Sequence, residues 1–443
     1  MVNWEVEHME KKGKRFAVFQ EHGDDEEINL IKKKKPGSEK KKKAPLVPKW
    51  VYRVSLILLA AVLVLAWWFN RDNLTIDNIS DWIQTRFVGM GVGDGYPVSV
   101  PGGETEVGNF LSVDQEAVVV SNTSLTAWNS TGKETMSVQH ACSQPAVRQA
   151  GGRYLVYSIG GTGYQLDTHT RSLLKGNTDE KILTGALAND GRFALVTQSE
   201  DFACRLTVYF SDGTVQYEYD FSQAYITSIS LNSSGTKGVA AGLTAKDGGM
   251  VSVLYIFDFN ESKPVNTINS SENMVLETQW GSDGIICAVG DRKALWVNAG
   301  TGETQEYDYD GRQLTAYSIS ESRALLSLSS YSVSGACTLL EFRASPEIVT
   351  QLESESSIKS VSLYGETLAM LAGGKVTAVS SGTGAIEGTC DAGGDARAIA
   401  LQNESQVYLL GVSEIRQAAF DEVNKKFMAE TPAPACLKKG FMI

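Results

Sequence analysis

Chemistry needs nucleophiles, acid–base groups or metal ligands at workable spacing, and this chain offers few such places. Of its four histidines, His8 and His22 fall in the first 49 residues, which leaves His140 and His169 for the long remainder. A histidine-built metal cluster is therefore not expected. His140, in "SVQHACSQP", reads as a side chain that satisfies a turn rather than one that reacts. The six cysteines (Cys142, Cys204, Cys287, Cys337, Cys390 and Cys436) are widely scattered, and none has the CxxC spacing of a zinc site. Cys287 and Cys337 sit in apolar stretches and read as small buried hydrophobes. No GxSxG marks a nucleophile elbow. Glu306, Asp308 and Asp310 alternate along "EYDYDG" and could face a hard cation, but the run is too short for an EF-hand loop and reads better as a solvated strand edge. Gly89, Gly91, Gly93 and Gly95 imitate a phosphate-cradling loop. Tyr96 stands where the last glycine of GxGxxG belongs, however, so a hinge is the expectation. No residue is assigned a catalytic, cofactor-binding or metal-binding role, and no cofactor is expected.

The elements that carry these residues begin with an apolar run, "VYRVSLILLAAVLVLAWWFN", over 51–70. From Val54 to Phe69 only Ser55 interrupts it. Residues 50–70 as a helix rising about 1.5 Å per residue match the hydrocarbon thickness of a bilayer. Trp50 and Tyr52 at one end, with Trp67 and Trp68 at the other, suit the two interfaces. A cleaved signal would want a short basic head and a small-residue cleavage site, and neither is present. Before Val54 there are 14 Lys+Arg against 9 Asp+Glu; from Asn70 onward there are 26 against 43. Positive charge stays on the cytoplasmic side, so the expectation is a cytoplasmic N-terminus and an extracytoplasmic body in the cell membrane. The acidic body also argues against nucleic acid as a partner.

The expected organisation is a disordered basic tail over 1–49, a signal-anchor helix over 50–70, and a short amphipathic helix with a glycine-rich linker over 71–106. A β domain over 107–430 and a tail over 431–443 follow. The helix rests on Ile76, Ile79, Ile83 and Phe87, with Thr75 placed to cap it. From 107 onward, short runs such as "EAVVVS", "RYLVYSIG" and "GIICAVG" alternate with Gly, Asp, Asn and Ser, as strands in antiparallel hairpins do. One turn recurs, marked by Gly132, Arg171, Gly213, Lys263, Gly302, Ser345, Gly384 and, loosely, Lys425, at steps of 39 to 50 residues. About four strands per step make an all-β propeller. Eight turns imply eight four-stranded blades, with seven open if the weak last turn completes the first blade.

Asn129-Ser-Thr131-Gly132, Asn298-Ala-Gly-Thr301-Gly302 and Ser381-Gly-Thr383-Gly384 resemble the strand-turn consensus of quinoprotein (PQQ-like) and WD-repeat-like propellers. The whole chain resembles an uncharacterised family, a domain of unknown function, of membrane-anchored proteins in Gram-positive anaerobes. That resemblance implies a fold and an anchor but no activity; the adjacent cysteines and Trp-rich docking repeats of quinoprotein dehydrogenases are missing. The expected function is a non-enzymatic scaffold binding a protein or glycan of the cell envelope. A glycan hydrolase and a sensor signalling through a membrane partner are the alternatives.

Overall fold

The computed structural model describes residues 54–61, 91–103, 105–246, 248–330 and 335–422. The expected basic tail, amphipathic helix and C-terminal tail lie outside these residues, as does Cys436. So do the ends of the apolar run, of which 54–61 are helical and exposed along their whole length. Among the described residues, no helix is long and apolar enough to cross a membrane.

Residues 98–422 form eight antiparallel sheets. Blades 1 to 7 span 110–139, 145–177, 182–221, 225–271, 275–308, 314–354 and 358–391, each with its four strands in chain order. Blade 8 takes three strands from 398–419 and its outer strand from Val98–Ser99, which pairs Val98 with Ile415 and Ser99 with Glu414. The ring thus closes on residues that the sequence places in the linker. The weak eighth turn does not supply that outer strand. After Ala419 the chain crosses over, and Asp421–Glu422 adds a fifth strand to blade 7 beside Gly388 and Thr389.

The apolar runs are explained by where their side chains go. Successive residues of a strand face opposite sides of the sheet, and here both sides are buried. In the second strand of blade 1, Ala117 and Val119 enter the seam with blade 8, whereas Val118 and Val120 enter the seam with blade 2. The core is accordingly eight separate clusters, one for each seam between neighbouring blades. Cys204, Cys287, Cys337 and Cys390 are buried among these clusters as free thiols, and Cys142 joins the seam of blades 1 and 2 in the same way.

The recurring turn joins the third and outer strands, and in blades 1, 3, 4 and 5 an Asn or Asp side chain builds it. The Asn129 side-chain oxygen accepts from the backbone N–H of Thr131 (2.9 Å) and Lys133 (3.1 Å). That of Asn298 accepts from Gly300 and Thr301, both at 3.0 Å. Such side chains substitute for a backbone partner in a tight turn. Each turn lies on one face of the ring together with the turns between first and second strands, because antiparallel strands alternate direction.

Candidate functional site

The first strands line the axis. In blades 3, 5, 6 and 7 each carries a bulge at its second residue, and in blade 4 at its third, leaving Leu183, Leu276, Thr315, Lys359 and Thr227 outside the register of the second strand. A bulge re-aims the side chains that follow it. Immediately after the bulge, Ser228 accepts from the backbone N–H of Thr278 on the next blade (3.0 Å), and Ser360 does the same for Ile399 (3.1 Å). Glu277 holds that position in blade 5. Its charge acts on the next blade too, where it helps to raise the pKa of Tyr317.

At the mouth of the axis, on the face of the recurring turns, a cavity of about 370 Å³ opens between blades 2 to 6. Arg148, Gln149, Ser230, Glu277, Gln279 and Glu321 are among its lining side chains. The Arg148 guanidinium donates to the carbonyls of Gly185 (3.2 Å) and Val147 (3.3 Å). Its charge is favoured first by Tyr157, then by Glu277 and Tyr317, against the cost of burial. Burial, followed by the charge of Glu277, pushes the Tyr317 hydroxyl well above its ordinary range. Tyr317 therefore stays protonated. The cavity is a place for hydrogen bonding, with one cation balanced against carboxylates.

The residues weighed from sequence are placed elsewhere. His140 sits in the connection from blade 1 to blade 2, where its Nδ1 accepts from Cys142 N–H (3.3 Å) and its Nε2 bonds the Ser121 carbonyl (2.9 Å). His169 lies 3.4 Å from the Glu116 carboxylate. Glu306 and Asp308 flank Lys293 Nζ, at 3.2 and 3.8 Å, on the outer strand of blade 5. Among the described residues, no group of three or more His, Cys, Asp and Glu side chains could hold a metal ion. The glycine run differs from the expected hinge over its described part. Gly93 N–H donates to Thr131 Oγ1 (2.9 Å) and Gly95 N–H to the Thr131 carbonyl (3.0 Å), which binds the segment to the turn of blade 1. A Cβ at Gly93 would meet backbone at 2.3 Å, so these glycines serve close approach of two chains. Arg148, Glu277 and Gln279 were not singled out from sequence. Their one signal is a charged or amide side chain inside a first strand.

Fold and cavity together define an eight-bladed β-propeller with an open polar site on its axis. The chain belongs to a family of unknown function (DUF5711), whose profile matches residues 98–418 and so begins on the ring-closing strand. No curated protein matches it. Among solved structures, it is similar to a chain of the mitotic checkpoint complex, with TM-score 0.46 and 12% identity over 64% of this chain and 93% of that one. BamB from Moraxella catarrhalis gives TM-score 0.48 and 12% identity over 73% and 100%. Sqt1 from Saccharomyces cerevisiae gives TM-score 0.49 and 11% identity over 74% and 100%. No property of these proteins carries over to this chain at such values.

Proposed function

We propose that the propeller is a non-enzymatic binding scaffold for a protein or glycan of the cell envelope, held outside the cell by a single membrane span at residues 50–70. The observation that carries the binding role is the axial mouth, where five blades present hydrogen-bonding side chains around one cavity. The charge of Glu277 is felt there by Arg148 and Tyr317, which suits a fixed recognition surface more than a proton shuttle. The anchor is supported by the lysine-rich flank before the apolar run and by 54–61, a helical stretch whose Leu56, Ile57, Leu58 and Leu59 are all exposed. Apolar side chains on every side of a helix are at home in lipid.

Topology is tested by adding protease to intact cells: the propeller should be digested while an epitope within 1–49 survives. A propeller left whole would end the extracytoplasmic reading. The binding role is tested with a photo-crosslinking residue at Glu321 of the full-length chain, and another at Val412 on the opposite face. An adduct confined to the Glu321 position is expected, and its absence from both positions would end the scaffold reading. A second reading, glycan hydrolysis, draws on Glu277 and Glu321 lining one cavity. It predicts glycan release that Glu321→Gln abolishes.

A further inference from the structure

We propose that the axial cavity is a saccharide-binding subsite, taking a neutral sugar unit of one or two rings; this rests on the scaffold reading and names its ligand class. The cavity volume of about 370 Å³ falls at the lower end of the roughly 300–1,000 Å³ usual for small-ligand sites. A sugar hydroxyl both donates and accepts, so its site needs donors and acceptors interleaved, on side chains rigid enough to aim them. The lining provides that mixture. Arg148 is a pure donor, Glu277 and Glu321 are acceptors, and Gln149 and Gln279 supply both. The half-buried Ile319 adds apolar surface for the C–H face of a ring.

A comparison between blades singles out one atom. Ser360 and Ser362 of blade 7 both bond the next blade, Ser362 accepting from Leu401 N–H at 2.9 Å. Ser228 and Ser230 hold the same two positions in blade 4. Ser228 makes its bond, but the Ser230 hydroxyl is buried, without a partner, and on the cavity wall. A buried polar group left unpaired is destabilising, and a ligand hydroxyl arriving at this wall would relieve that cost. Other ligand classes fit less well. Two carboxylates against one guanidinium disfavour a phosphate or nucleotide, and the same guanidinium disfavours a divalent cation.

The test is saturation-transfer NMR on the full-length chain in lipid nanodiscs, with N-acetylglucosamine, chitobiose, maltose and galactose as probes. Glutamate and inorganic phosphate serve as the charged comparisons. At least one neutral sugar should bind. Ser230→Leu, which fills the polar position, should weaken it about tenfold or more, and Gln279→Ala, at a half-buried amide, about fivefold. Gln279→Ala should melt with the parent protein, which keeps the test valid if Ser230→Leu folds poorly. Binding of glutamate or phosphate alone, binding of no sugar, or sugar binding indifferent to Gln279→Ala would each overturn the proposal. A protein adduct at Glu321 without sugar binding would sink this inference and leave the scaffold reading in place.

Discussion

Glu116 and His169 meet at 3.4 Å where blades 1 and 2 adjoin, both largely buried, and each is pushed toward its neutral form. Burial raises the Glu116 pKa to about 7, with the charge of Asp114 adding and a hydrogen bond to Thr135 opposing. Burial lowers that of His169, with Asp114 opposing. A carboxyl whose pKa is raised by folding contributes stability below its ordinary value near 4.5 and loses it as pH rises through about 7. The His169 contribution runs the other way, present above its ordinary value near 6.5 and lost as pH falls below it. Glu116→Gln removes the carboxyl's titration and leaves His169 in place in both proteins. The variant should gain stability relative to the parent between pH 5 and 7.5, by on the order of 2 kcal/mol at about 1.4 kcal/mol per pKa unit. Urea melts across that range measure it, and a constant gap would refute the assignment. Glu341 is a buried acidic side chain surrounded by donors. It accepts from Thr350 (2.6 Å) in its own blade and from Ser381 (2.8 Å) across the seam of blades 6 and 7, and it lies 3.5 Å from Arg323 of its own blade. Glu341→Ala would leave Arg323 and two hydroxyls without that partner. It should cost about 3–5 kcal/mol, read from the same melts, whereas Glu341→Gln should cost less because both hydroxyls retain an acceptor.

At the level of turns and strands, much of the fold could be read before any coordinates. Asn129, Thr131 and Gly132, or Asn298, Thr301 and Gly302, announce a turn because only a side-chain acceptor and a residue tolerant of positive φ make it, and Gly132 and Gly302 have φ of +74° and +75°. Repeated about every 40 residues, that local rule reveals the blades. Val98–Ser99 escaped notice because a strand two residues long, behind a proline, leaves no periodicity. The cavity escaped for a related reason. Each blade gives it only a few residues, and Arg148 and Glu277 become neighbours only once blades 2 to 5 curve round the axis. Gly93 and Gly95 looked like a hinge because sequence cannot distinguish freedom to bend from freedom to approach. Gly132 decides between the two. Its Cβ would stand 2.4 Å from the Gly95 carbonyl, and its positive φ already disfavours a side chain. Gly132→Val should therefore detach 91–95 from blade 1. Limited proteolysis should then cut between Gly91 and Gly95 in the variant and spare the parent, with the ring melting only a few degrees lower. Equal cutting in both would mean that the segment is free already.

On the scale of the whole ring, stability is shared among eight seams, with no end blade to cap the series. Every blade buries both faces, so opening one seam exposes two apolar surfaces together, and the seams should fail as a unit rather than one at a time. The seam between blades 8 and 1 is where the two ends of the propeller meet, and it depends on a short closure. Val100 N–H donates to the Ser413 carbonyl (2.9 Å), while its side chain packs with Phe110, Trp128, Tyr408 and Ile415. From blade 1, the Gln115 carbonyl accepts from the Tyr408 hydroxyl (2.7 Å), which fastens the same seam from its other side. Val100→Asp would put an unpaired carboxylate between the two blades and should cost at least about 3 kcal/mol. Val92→Asp, at a side chain 86% exposed, makes the same chemical change outside the seam and should cost nothing measurable. If closure governs the ring, Val100→Asp lowers the melting temperature of the whole propeller in one transition, with amide exchange accelerating in blades 4 and 5 as well as in blades 8 and 1. Faster exchange confined to blades 8 and 1, with the far blades still protected, would show instead that the seams are independent and that closure adds only its own local share.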